Sequence, residues 1–504
     1  MDLLTLVLGT ILLGTFVYIF FNRRKRYHLP PGPRGYPLIG NSIEMFGSNS
    51  GKPLYQYLAD LSKTYGDIFT FSAGFGKPVK MIILNSADVM NQALVNQSGH
   101  FDGRPSLWSL SYISKDKDIF MGNPSDPAWK LSRKLATSGF RNFLSGSRLD
   151  GKVHSSVEKG IAMLLENNGK PIDMKPVFNL LVYNVICDML FSVQFDLGDK
   201  DFRKLCESID RIDEQFSDGL LEDWVPLWQY SPIKTQFTKE FMEIVNFFVQ
   251  YCTVRVTEHK NKYNPDNVCD LIDFLIKAKE KVQQDDPKLA DLFTDEHIVQ
   301  IVSDTFIAGV NTASHTLYWA MYFMAKYPHI QEKVHEEIDE AIGSLLPKIS
   351  DKQKMVYCEA VMYETIRFAP VIPLGLNHAP SLENAKFNEF DIPADAQIIT
   401  NIWACHHDPR EWENPELFIP ERFIHEDESL IAKPKSWLPF SAGRRACIGE
   451  NVAKHELFIF FTSILQKFNI RFEDDSVSSQ PIQFGNNAFV CSPKPYKVIV
   501  TPRG

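Results

Sequence analysis

Phe440, Gly443, Arg445, Cys447 and Gly449 stand in the spacing F-x-x-G-x-R-x-C-x-G, which singles out one cysteine among eight. Glycines before and after Cys447 permit a turn that brings backbone N–H groups near the sulfur, and Arg445 adds positive charge two residues upstream. Such a place favours the thiolate. It suits a thiolate bound to haem iron, with the guanidinium left to meet a haem propionate. Any one cysteine alone would be read as a small buried hydrophobe. Agreement at five positions argues against that reading here.

Trp129 and Arg133 lie one helical turn apart in W-x-x-x-R, so an indole N–H and a guanidinium can reach the same carboxylate. Glu364 and Arg367, in E-x-x-R, share a helix face and can pair. On its own that spacing also describes many solvated surface pairs. Ala308 and Gly309, with Thr312 one turn on, put two small residues and a hydroxyl on a helix where a broad flat group would fit. Thr312 could also bond back to the carbonyl four residues earlier.

The helix that carries this last run starts near Thr294, an N-cap followed by Asp295 and Glu296, and meets no proline until Pro328. At the helical rise it is about 50 Å long, enough to cross a whole body. A second helix, Val452 to Phe468, is free of Gly and Pro and begins just after Cys447, so its positive end favours an anion there. Ile68–Ser72 and Val79–Leu84 read as a hairpin. Prolines break the segment from Asn377 to Phe423, leaving short β runs such as Ala396–Ile402.

At these residues, and over nearly its whole length, the chain resembles a cytochrome P-450. The resemblance implies a mainly α fold with small β-sheets, and haem b (iron protoporphyrin IX) held by Cys447 as the axial thiolate. It implies haem contacts from Phe440, Gly443, Arg445, Trp129, Arg133 and His378, and a structural network of Glu364, Arg367 and Arg422. Ala308, Gly309, Asn311 and Thr312 occupy the place of the family's oxygen-activation motif, with the Thr312 hydroxyl assisting proton delivery. Asn311 stands where the family usually has a carboxylate, so an acidic relay at that position is not assumed. Matching the family places Trp108, Leu110, Ile113, Val371, Ile372, Ala488 and Phe489 around the substrate, a mostly apolar lining suited to a flat lipophilic molecule.

Composition agrees with one large catalytic body. The 504 residues are 44% hydrophobic with 37 Phe, enough for a core that encloses a cofactor. The eight cysteines show no C-x-x-C spacing, and the net charge of −9 with no basic stripe excludes a nucleic-acid binder. Leu3–Phe21 is an uncharged apolar run followed by Arg23, Arg24, Lys25 and Arg26, the pattern of a membrane-spanning signal anchor with a cytoplasmic body. Residues 1–22 are read as the anchor, 23–41 as a basic and proline-rich hinge, and 42–504 as the haem-thiolate domain on the endoplasmic reticulum membrane.

No G-x-G-x-x-G is present and 57 residues follow Cys447, which leaves no room there for a fused flavin domain. Electrons are therefore expected from a separate partner, NADPH-cytochrome P-450 reductase, with cytochrome b5 as a second donor, docking on Arg444, Lys454, Lys130 and Lys134. Asp270–Lys277, Glu337–Gly343 and Ile402–His407 look most like the steroid 17α-hydroxylase/17,20-lyase branch of the family, and next most like the branch that oxidises planar aromatic xenobiotics. The implied reaction inserts one oxygen atom of O2 into a steroid. Two other readings stand beside it: a haem-thiolate isomerase or dehydratase that needs no reductase, and a non-catalytic membrane haem-binding or sensor protein.

Overall fold

The computed structural model describes residues 9–12, 14–15, 27–47, 52–115, 117–143, 146–196, 198–225, 227–430, 434–485 and 489–503. Helices dominate: α1 (Trp108–Ser114), α2 (Pro127–Ser138), α3 (Ser147–Glu166), α4 (Lys175–Phe191) and α5 (Lys200–Asp218) precede α6 (Gln236–Lys262). They are followed by α7 (Asp295–Lys326), α8 (Val356–Phe368) and α9 (Glu450–Lys467). The expected hairpin is present as β1 (Ile68–Ala73) and β2 (Val79–Leu84), antiparallel with Ile68 opposite Leu84. β3 (Asn384–Phe387) and β4 (Phe390–Pro393) make a second hairpin. β5 (Gln397–Thr400) joins β2 in parallel, and β6 (Phe468–Phe472) pairs with β7 (Val498–Pro502).

α7 spans the core as its sequence requires. The Thr294 N–H donates to His297 Nδ1 at 3.1 Å, Asp295 and Glu296 sit at the positive end of the dipole, and Pro328 opens the next helix. α4 is apolar on all sides and nearly all of it is buried, the mark of a helix enclosed by others. It packs against α3 and α7. The strand expected over Ala396–Ile402 is shorter because the Asn401 side chain caps a short helix, Ile402–His406, by accepting from the Ala404 N–H at 3.1 Å. The apolar run Leu3–Phe21 lies largely outside the described residues. No helix among those described is long and apolar enough to cross a membrane.

Candidate active site

The cysteine loop is shaped by one obligatory glycine. Gly443 has φ 72°, and a Cβ there would run into the Leu94 carbonyl oxygen, so any other residue meets both backbone strain and a clash. A tight turn over Gly443–Arg445 follows, and the Cys447 N–H donates to the Phe440 carbonyl at 2.9 Å, closing the loop just before α9. Burial pushes the Cys447 thiol above its ordinary value, while the backbone N–H groups of Gly449 and Glu450 and the charge of Arg133 pull it down. Cys447 is nevertheless accessible to solvent. Surrounding protein mass with open space at the sulfur defines a recess.

On α7 the same signature recurs. Ala308 is exposed although Phe306 and Val310 are buried, and Thr312 is half-buried with its hydroxyl donating to the Ala308 carbonyl at 2.8 Å. The back of the helix is tight: a Cβ on Gly309 would stand 2.9 Å from Ile186 Cδ1. Arg133 donates to the carbonyls of Ala446 and Ile119, and the Ile119 N–H donates to Asp304, one turn before Ala308, at 2.8 Å, which ties the loop to the middle of the helix.

Three guanidiniums converge beside that space. Arg445 donates to the carbonyls of Asp102, Phe120 and Gly122 at 2.8, 3.2 and 2.6 Å. Arg133 donates to those of Ile119 and Ala446 at 3.1 and 2.7 Å. Arg104, which sequence reasoning did not single out, donates to Phe120, Leu376 and Asn377 carbonyls at 3.1, 2.8 and 2.8 Å. Burial and then the other two cations push Arg104 down to about 9; burial and Arg133 push Arg445 to about 10. Burial, with Arg104 second, holds the His378 imidazole well below its ordinary value. The Asp118 carboxylate offsets little of this, being engaged by the N–H groups of Phe120, Met121 and Gly122.

Arg445 lies 4.2 Å from the Trp129 ring centroid, and the buried Trp129 Nε1–H has no partner among the described residues. A crowded, under-neutralised cation cluster beside an orphaned donor is what a group with two carboxylates would complete. The residues present therefore fit haem: Arg104, Arg133, Arg445 and Trp129 would hold its carboxylates, and Cys447 would offer a thiolate to its iron.

Glu364, Arg367 and Arg422 are joined by hydrogen bonds. Glu364 and Arg367 are fully buried, joined by two bonds of 2.6 and 2.8 Å, and Arg422 Nε reaches Glu364 at 3.2 Å. The resemblance implies that this network holds the cysteine loop in place, and a path between the two runs through His406. Arg367 donates to the His406 carbonyl at 2.8 Å, while the His406 ring receives the Leu438 N–H on Nε2 at 2.9 Å, two residues before Phe440. Burial holds His406 down to about 3, so it stays neutral and keeps that acceptor.

Among the proposed substrate contacts, Trp108 and Ile113 of α1 pack in one cluster with Phe216 of α5 and Phe241 of α6. Phe216 also lies 5.3 Å from Phe489. Leu110, Val371 and Ile372 are partly exposed, and Ala488 lies outside the described residues. Asn311 points to helix α5, where its Nδ2 donates to Asp213 at 2.6 Å. A carboxylate from another helix thus lies beside position 311. One docking cation is corrected: Lys454 is 13% exposed, bonded to Glu450 at 2.8 Å and set over the Trp437 ring, so it is no free surface charge. Arg444 is exposed but pairs with Asp102 at 3.1 Å; Lys130 and Lys134 are exposed.

Residues 30–500 match the cytochrome P-450 family model, and the chain belongs to that family. Cytochrome P-450 2U1 of Bos taurus is 30% identical over 99% of this chain and 93% of its own length. Steroid 17-alpha-hydroxylase/17,20 lyase of Ictalurus punctatus is 31% identical over 94% of this chain and 91% of its own. Cytochrome P-450 2B15 of Rattus norvegicus is 32% identical over 97% and 98%. The protein is a haem-binding monooxygenase of mainly helical fold with small sheets, and its family uses redox partners, lipophilic substrates and O2.

Proposed function

We propose that Cys447 is the axial ligand and that the enzyme inserts one atom of O2 into a steroid in a 17α-hydroxylase-like reaction. The observation that carries this is the recess itself: an accessible cysteine flanked by donors, and a small-residue window with a hydroxyl on α7. When bound, haem supplies activation of dioxygen and the two-electron oxidation of substrate. The chain's own residues do the rest. Arg104, Arg133, Arg445, His378 and Trp129 hold carboxylates, and Phe440 and Gly443 shape the loop. Ala308 and Gly309 leave space, and the Thr312 hydroxyl, by rotating off the Ala308 carbonyl, holds a proton at the edge of that space. Asn311 keeps its side chain toward α5.

A relative named for steroid 17α-hydroxylation supports the substrate class. The aromatic wall of Trp108 stacked on Tyr112, with Phe241 tilted against both, favours planar aromatic xenobiotics as a second reading, since flat rings gain most from such contacts. Electrons come from NADPH through NADPH-cytochrome P-450 reductase, assisted by cytochrome b5, with Lys130 and Lys134 the cations open to a docking surface. Turnover of progesterone under 18O2 with that reductase is expected to give product carrying one labelled oxygen. Unlabelled product formed without NADPH would instead support the isomerase reading, and no NADPH oxidation with any lipophilic probe the sensor reading.

Residues 1–22 serve as the anchor and 23–41 as a hinge, and residues 42–504 face the cytoplasm from the endoplasmic reticulum. Removal of residues 1–22 is expected to move most of the folded protein from the membrane pellet to the soluble fraction, because a spanning segment holds far more strongly than a peripheral face. Full retention in the pellet would assign attachment to another surface.

A further inference from the structure

The three guanidiniums beside the recess rest on one short segment. Arg133 donates to its Ile119 carbonyl, Arg104 to its Phe120 carbonyl, and Arg445 to its Phe120 and Gly122 carbonyls, at 2.6 to 3.2 Å. The Trp129 ring lies against Gly122, where an added Cβ would collide with it. Four of the side chains that would hold haem's carboxylates therefore touch residues 119–122.

These residues lie between α1 and α2 in no helix or strand, so no regular ladder fixes the direction of their carbonyls. Asp118 fixes it instead. Its Oδ1 accepts the Phe120 N–H at 2.7 Å, the Gly122 N–H at 3.2 Å and the Met121 N–H between them, while Ile119 gives its own N–H to Asp304 of α7 at 2.8 Å. The N–H and C=O of a trans peptide point in opposite directions. Gathering the Phe120 and Met121 N–H groups on one oxygen thus turns the other halves of the same peptides, the Ile119 and Phe120 carbonyls, toward the guanidiniums. Asp118 is buried, and its Oδ2 has no hydrogen-bond partner among the described residues, so its hydrogen bonds run through Oδ1 to this segment.

We propose that Asp118 is a positioning residue for haem, which aims Arg104, Arg133 and Arg445 at the two haem carboxylates through the backbone of residues 119–122. This rests on the reading of that cluster as the haem carboxylate site. What Asp118 supplies is an acceptor at a set reach, more than a charge. Asparagine keeps an acceptor oxygen at that reach without the charge, whereas glutamate keeps the charge and carries its oxygens one methylene further.

The test compares Asp118→Asn and Asp118→Glu in the full-length haem-loaded protein by two readouts. One is the rate of haem transfer to excess apomyoglobin, and the other is the propionate-bending band of the resonance Raman spectrum, which reports hydrogen bonding to the haem carboxylates. Asp118→Asn is expected to release haem within about threefold of the native rate with the band in place, and Asp118→Glu about tenfold or more faster with the band displaced, tenfold being the worth of one charge-assisted hydrogen bond. The thiolate Soret band should persist in both, which a general loss of structure would not allow. A native release rate and band in Asp118→Glu overturn the proposal, as does an Asp118→Asn protein that releases haem as fast as Asp118→Glu, which would assign the role to charge. Should Asp118→Glu not fold, Asp118→Ala is held to the same expectation, and Asp118→Asn to its own. Arg104→Gln separates this inference from the reading beneath it: a band displaced there but not in Asp118→Glu removes this inference alone, and a band unmoved in both removes the carboxylate site as well.

Discussion

Cys447→Ala is expected to abolish the strongly red-shifted Soret band that the reduced, carbon monoxide-treated protein should show, and to abolish turnover. The band depends on electron density from an axial thiolate, and alanine supplies none. The fold should survive, because Cys447 faces the recess and not packed core, so little buried surface is lost. Thermal unfolding of the haem-free variant is therefore expected to match that of the haem-free native protein. Cys491 supplies the control. It is buried, its sulfur receives the Tyr55 hydroxyl at 3.6 Å, and burial pushes its thiol up to about 12. Arginine and glycine N–H groups like those around Cys447 do not figure among the influences on it. Cys491→Ala should keep the band. Persistence of the band in Cys447→Ala would remove the ligand assignment, whatever the activity.

The parts of this site that lie close together in the chain were readable, and the parts that fold together from afar were not. Five positions of the cysteine loop, the E-x-x-R pair and the long helix α7 each express local geometry, in which a turn, a shared helix face or a cap dictates residue type. Arg104 carries no such mark. It joins the cation cluster only because an isolated bridge pairs Gly103 with Ala379, hundreds of residues on, and sets it against the Leu376 and Asn377 carbonyls. Asp213 likewise meets Asn311 through the packing of α5 on α7, which no periodicity encodes. Lys454 failed as a docking charge for the same reason: exposure was inferred from residue type, and three aromatic rings cover it. The strand at β5 ended early because Asn401 capped a helix, a local signal that was legible and outweighed by the apolar run around it.

Arg367→Lys, a change that keeps the charge, is expected to prevent recovery of folded, haem-loaded protein. Arginine has five N–H donors. All five are used here: Nε and Nη2 on Glu364, Nη1 on the His406 and Pro415 carbonyls, and Nη2 again on the Leu417 carbonyl. Lysine offers at most three from a single point, so at least two of the five bonds are lost, at about 1–3 kcal/mol for each acceptor left buried without a partner. Against a stability of roughly 5–15 kcal/mol such losses are large, and they fall on one loop. That loop is the cysteine loop, because the His406 carbonyl lost to Arg367 belongs to the residue whose ring fixes Leu438. Arg422→Lys is the matched comparison. Arg422 sits at the edge of the network, with one 3.2 Å contact to Glu364, and its lysine variant should still bind haem with a lowered melting temperature. Haem content and thermal unfolding of the two variants decide the matter: an Arg367→Lys protein that holds a full complement of haem and melts with the native protein would show that this network does not support the cysteine loop.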